Sequence, residues 1–338
     1  MQKTIPRELS IINRILYVSL ALSACLLVVA LLAISIGSTG WNMRALFDLL
    51  SGQADPHSTI NNVILRIRLP RVVLAALSGA ALSLGGLVFQ ALLRNPLAEP
   101  YILGVSGGSA VGAIIGILLG LSTYPGVALF AFAGSMITLF TVVIVVSLKP
   151  AMKKDALILA GVMVNAFCSS VIMFLISLTQ DSRIHNVLFW LMGDLSISAG
   201  RSALGLTAVL LPCFAVIFVL ARPMNLLMMG EDMAVNMGVQ VRFVRLVLLL
   251  VTSCMVSAVV CHAGLLGFVG LVIPHLLRLL FGPDHRVLVP ASILGGAAYL
   301  VFCDLLARSI PAHGEMPVGV ITAMIGAPLF VILLQRAR

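Results

Sequence analysis

Apolar runs of about 20 residues recur along almost the whole chain, and that recurrence leaves few folds open. An α-helix rises 1.5 Å per residue, so each run can cross a hydrocarbon layer roughly 30 Å thick. In lipid every backbone N–H and C=O must be satisfied internally, and a helix does this within one segment. Ten spans are predicted, at approximately 15–36, 70–93, 101–120, 126–148, 157–179, 200–221, 243–262, 268–281, 288–308 and 317–334. The eighth is short and holds Pro274, His275 and Arg278. No soluble domain remains once the spans are removed, so residues 1–338 form one all-α, polytopic membrane domain. Charged residues are only 10% of the chain, against about a quarter in a soluble domain.

The formal charge of +9 would suggest nucleic acid in a soluble protein. In a membrane protein it reads as loop cations that set orientation. With the N-terminus inside, 14 of the 21 Lys and Arg residues fall on the inner side and 7 on the outer side. This bias predicts that both termini are cytoplasmic; losing the eighth span would invert everything after it. Lys3, Arg7 and Arg14 precede the first apolar run as in a signal peptide. That run is too long and lacks a small-x-small cleavage site, so a retained first helix is expected. The six cysteines lie in apolar runs without a C-x-x-C pair, which argues against a disulfide or zinc framework.

On this topology Arg66-Ile67-Arg68-Leu69-Pro70-Arg71 faces outward and gathers three of the seven outer cations. Arginines at a helix start can snorkel to lipid headgroups, or they can dock an acidic partner, and the residues alone leave both open. In the third span Gly104, Gly108, Gly112, Gly116 and Gly120 stand four apart, a ladder that lets another helix approach closely. The longest inner loop, 222–242, contains Gly230, the acidic pair Glu231-Asp232, then Met233-Ala234 and a stop at Gly238. Acidic residues suit a helix start and glycine its end. Met228, Met229, Met233 and Met237 would give this short helix an adaptable apolar face for a cytoplasmic partner.

Gly104-Val105-Ser106-Gly107 matches the G-x-S-G of intramembrane serine proteases. Such an enzyme needs a His within reach of Ser106; His262 is expected near the opposite face, and His275 could share its depth. Asp304 and Arg308 are spaced i, i+4 and can pair. No G-x-x-x-x-G-K-[ST] occurs, so the chain does not bind ATP through a P-loop.

From Arg66 to Gln335 the sequence resembles the membrane permease subunits of ABC importers for iron–siderophore complexes, haem and vitamin B12. The resemblance rests on "RLPR" (68–71), "RNPLAEPYILGVSGG" (94–108), "LILAG" (157–161), "FWLMGDL" (189–195), "MGEDMAVNMGV" (229–239), "GLLGFVGLVIPHLLRLLFGPDHR" (264–286) and "GEMPVGVITAMIGAPLF" (314–330). It implies a vitamin B12 permease-like bundle of about ten helices in the bacterial inner membrane, working as a homodimer. Two ATP-binding ABC subunits would cap the dimer inside, and a periplasmic or lipid-anchored substrate-binding protein would visit it outside. It also implies roles. Arg68, Arg71 and Arg308 would form salt bridges with the binding protein. Met228, Gly230, Glu231, Asp232, Met233, Ala234 and Gly238 would belong to the coupling helix seated on the ATPase. Asn95 and Leu97 would contribute to the cytoplasmic gate. Lys154 and Asp155 would lie beside a second part of that gate, although some relatives carry small polar residues there. The fifth and tenth spans would line the path.

The expectation is therefore a transport subunit and not an enzyme, with no cofactor of its own; ATP and Mg2+ would be bound by the partner. An iron chelate (siderophore or haem) is the expected cargo, with cobalamin the alternative. A secondary carrier and an intramembrane protease are the remote alternatives.

Overall fold

A computed structural model describes residues 10–37, 40–41, 43–51, 58–147, 154–179, 181–196, 202–311 and 314–336. Helix α1 (Ile11–Ser35) begins where the Ser10 hydroxyl accepts a hydrogen bond from the Asn13 amide, as an N-cap should. Its side chains are mostly exposed, which in an apolar helix leaves a surface for lipid or another chain to cover. A two-residue antiparallel pairing of Ile36–Gly37 with Gly40–Trp41 follows. Short helices α2 (Met43–Leu50) and α3 (Thr59–Val63) lead into a π-helical turn, Ile64–Arg68, and so into α4 (Leu69–Leu93). Pro70 stands in the first turn of α4, directly after the π turn of a continuous helical stretch, and with no N–H it cannot donate to the turn before it.

The chain continues through α5 (Val105–Leu118), a second π turn at Thr123–Val127, α6 (Ala128–Ser147), α7 (Lys154–Ser177) and α8 (Asp181–Leu191). Then come α9 (Ser202–Val219), α10 (Ala221–Met229), α11 (Glu231–Asn236), α12 (Val241–Ala263), α13 (Val269–Phe281), α14 (His285–Ser309) and α15 (Val318–Arg336). Among the described residues six helices are long and apolar enough to cross a membrane, or seven if α9 and α10, bent by 50°, count as one span. With the three shorter apolar helices α5, α13 and α15 the total is nine, or the expected ten if α9 and α10 form one span.

The third span differs from its expected bounds of 101–120. Residues 94–104 form an irregular loop, and only Val105–Leu118 is helical. Pro96 and Pro100 remove two backbone donors there, and Gly104 adopts a left-handed φ of 76° that sets the start of α5.

Helix α4 is the centre of the bundle and packs against α9, α12, α13 and α14. Its packing depends on absent side chains. A Cβ at Gly86 would stand 1.7 Å from the Gly270 carbonyl oxygen, and one at Gly79 would stand 2.2 Å from that of Gly296. Lipid tails are as apolar as leucine, so close backbone approach is a main source of helix association. The glycine ladder behaves in two ways. Gly108 and Gly112 meet α6, with a Cβ at Gly112 falling 2.0 Å from the Phe130 oxygen. Gly104 and Gly120 instead have positive φ just outside the two ends of α5.

Candidate functional site

Helix α14 carries charged groups at both ends, and Asp284 and Asp304 lie twenty residues apart. At 1.5 Å per residue that is about 30 Å, the thickness of a hydrocarbon core. Helix α1 repeats the pattern. Arg14 near its start donates to the Phe281 carbonyl (2.8 Å), and Ala33–Ser35 at its end meet the Asp304 cluster.

The Asp304 cluster is buried. Asp304 is inaccessible to solvent, and Arg68, Arg71 and Arg308 are each 5% exposed or less. Arg71 Nε donates to Asp304 Oδ1 at 2.8 Å, and Arg71 Nη1 pairs with Glu315. Arg308 Nε lies 3.0 Å from Asp304 Oδ2, so the expected i, i+4 pair forms and one carboxylate serves two guanidinium groups. Arg308 Nη2 also donates to the Ala33 carbonyl (3.1 Å), and Arg68 Nη1 donates to Ile34 (2.8 Å) and Ser35 (3.0 Å). The last carbonyls of a helix have no partner inside it and carry its negative dipole end, so two cations there cap α1 electrostatically. Of the three arginines in 66–71, only Arg66 is exposed.

The Asp284 cluster is half-open to water. Asp284 caps α14, accepting from the Arg286 amide (3.0 Å), the Arg286 guanidinium (Nη2, 2.6 Å) and Asn225 Nδ2 (2.8 Å). Burial pushes this carboxyl up, but the hydrogen bonds from Arg286 and Asn225 outweigh it and hold the group at about 2. Asn225, on α10, returns two contacts: its Oδ1 accepts from the His285 amide (2.9 Å) and lies 2.7 Å from His285 Nδ1. Sequence reasoning gave Asn225 no role. The legible signal was Asp284 in "GPDHR", a helix-start residue directly after Gly-Pro.

Beyond Asn225, the chain turns at Gly230 (φ 133°) into α11 and leaves it at Gly238 (φ 81°). Glu231 and Asp232 occupy the first turn of α11, and Glu231 pairs with Arg245 of α12. Ala234 is buried, whereas Met228, Met229, Met233 and Met237 are exposed. Helix α9 ends at Val219, close to the expected end of the sixth span, and Arg222-Pro223 at the start of the expected loop lies in the first turn of α10.

Asn95 and Leu97 lie in the loop before α5. The Asn95 side chain accepts from the Leu97 amide (2.9 Å), and Leu97 is exposed. Leu97 also lines a cavity of about 410 Å³ with Glu99, Tyr101, Ile102, Ser106, Asn165 and Leu271. Tyr101 ties this loop to the one before α13, its hydroxyl donating to Leu266 O (3.1 Å) and accepting from Leu266 N (3.2 Å). Lys154 and Asp155 open α7, and their side chains lie outside the described residues. Ser106 faces the cavity, but among the described residues neither ring nitrogen of His275 has a hydrogen-bond partner, so no Ser106–His275 pair forms. His262 packs against Tyr124, with ring centroids 5.5 Å apart.

Residues 25–336 match the FecCD transport family. The chain is 36% identical to the hemin transport system permease protein HmuU of Yersinia pestis, covering 93% of each. It is 42% identical to the vitamin B12 import system permease protein BtuC of Escherichia coli, covering 81% of this chain and 83% of that one. Among solved structures it is similar to a metal-chelate type ABC transporter in an inward-facing conformation. There the TM-score is 0.83 at 31% identity, covering 95% of this chain and 99% of the other. The chain belongs to the FecCD transport family and is a multi-pass membrane permease with an ABC transporter permease fold.

Proposed function

We propose that this chain is the permease subunit of a binding-protein-dependent importer that moves a large metal chelate inward, powered by a separate ATPase. The observation that carries the reading is α11. It is a short helix between two glycine turns, with a single buried residue, Ala234, exposed Met233 within it, and exposed Met228, Met229 and Met237 flanking its ends. Exposed methionines form surfaces that adapt to a partner, and Asn225 links the segment before α11 to the foot of α14. The Asp284 end is then cytoplasmic, and α11 is the coupling helix on which ATP-driven motion of the partner acts. Asn95 and Leu97, with the start of α7 at Lys154 and Asp155, form the cytoplasmic gate. A second copy of the chain completes the path along α7 and α15, and both termini lie inside.

On this orientation the Asp304 end faces the binding protein. Exposed Arg44 and Arg66 attract its acidic lobes, with Arg68, Arg71 and Arg308 behind them. An iron chelate, siderophore or haem, is the first reading of the cargo, supported by similarity to the hemin permease over nearly its whole length. Cobalamin is the second, supported by the higher identity to the vitamin B12 permease. Two measurements test the proposal. The assembled complex in proteoliposomes should hydrolyse ATP with Glu231→Ala/Asp232→Ala but lose uptake; normal uptake overturns the coupling assignment. Titration of the cognate binding protein with haem, a ferric siderophore and cobalamin identifies the cargo, and affinity for none overturns the chelate reading.

A further inference from the structure

The Asp304 cluster holds three guanidinium groups and two carboxylates, and the two carboxylates are not equivalent. Asp304 has no exposure and bridges Arg71 and Arg308, so removing it would leave Arg308 without a carboxylate partner and Arg71 with Glu315 alone in a dry site. Glu315 has a side chain 41% exposed, yet it pairs with Arg71, whose side chain is 4% exposed. Glu315 can turn into water at little cost to itself, because its charge is already partly hydrated. Arg71 cannot follow, because the Nη1 it offers would be left buried without an acceptor. The pair therefore opens readily only when another carboxylate arrives to replace Glu315.

Glu315 belongs to the short connection between α14 and α15, which is also held by the Met316 amide donating to the Ala307 carbonyl (3.2 Å). We propose that Glu315 is a placeholder carboxylate: it occupies Arg71 until an acidic side chain of the binding protein displaces it. The exchange removes one of these two tethers at the start of α15. Docking outside is thereby coupled to the mobility of a helix proposed to line the path. The inference rests on the reading that the Asp304 end docks the binding protein. It adds that the permease carries its own competitor for that contact.

The experiment measures binding of the cognate binding protein to the full permease–ATPase complex in nanodiscs. Glu315→Gln removes the competing charge and should tighten docking by about fivefold or more, the low end of ordinary coupling between sites. Arg71→Gln should weaken docking, and adding Glu315→Gln to it should bring no gain. Unchanged or weaker docking by Glu315→Gln, with docking still weakened by Arg71→Gln, overturns the exchange and leaves the docking reading standing. Docking unaffected by Arg71→Gln overturns both. Should Glu315→Gln not assemble, Glu315→Ala makes the same comparison, with size-exclusion chromatography of the complex as the folding control.

Discussion

The two ends of α14 use the same chemistry, an aspartate with arginine and backbone partners, in opposite surroundings. Asp304 has no solvent exposure and its arginines almost none. Asp284 has a side chain 22% exposed, and its partner Arg286 34%. A buried pair costs desolvation of both ions and is strongly destabilising to break, whereas a pair open to water is worth little in either direction. The Asp304 end is thus built to hold the bundle in register. The Asp284 end reaches through Asn225 to the α10–α11 segment, the part proposed to move.

The sharpest way to break this contrast is to neutralise each aspartate. Asp304→Asn leaves Arg71 and Arg308 short of a countercharge and should cost about 3–5 kcal/mol, read as loss of monodisperse protein or a large fall in Tm. Asp284→Asn keeps most of its hydrogen-bond geometry and should cost roughly 1 kcal/mol; equal losses would show that burial does not separate the ends. Arg68→Ala should cost about 2–3 kcal/mol, since charged donors to the α1 carbonyls disappear, while exposed Arg66→Ala should stay within about 0.5 kcal/mol of the parent. Asn225→Ala should cost about 1–2 kcal/mol but lower uptake per ATP hydrolysed more than Tm. A proportionate fall in both would make Asn225 merely structural. Glu231→Gln should also cost little, about 0.2–1 kcal/mol for a surface ion pair with Arg245, and a larger fall in Tm would place α11 inside the rigid bundle.

Much of the architecture was legible because lipid imposes few solutions. The ten apolar stretches read from residues 15–334 fall, among the described residues, on seven helices long and apolar enough to cross, counting α9 and α10 together, and three shorter apolar helices. The short helix after Gly230 was readable from acidic residues at its start and glycine at its end, a local rule that needs no tertiary contact. Residues 94–104 were harder. Their apolar side chains suit a buried loop as well as a helix, and periodicity cannot separate the two over so short a run. The partners of Gly86 and Gly79 were equally hidden, because a glycine records that space is needed and not which backbone takes it. Arg68, Arg71 and Arg308 show the same limit. Charge counting placed them at one face, but not whether they point into water or into the protein.

By itself the sequence determined that this chain is an all-helical membrane permease, because long apolar stretches in lipid must be helices and the ordered motifs from Arg66 to Gln335 recur in one family. Only the tertiary structure decided what its few charges do. Asp304, Arg71 and Glu315 are separated by more than two hundred residues or a helix-to-helix turn, and their meeting depends on how α4, α14 and α15 pack. A charge has no fixed worth along a chain. Its worth is set by the dielectric and the partners that folding brings to it.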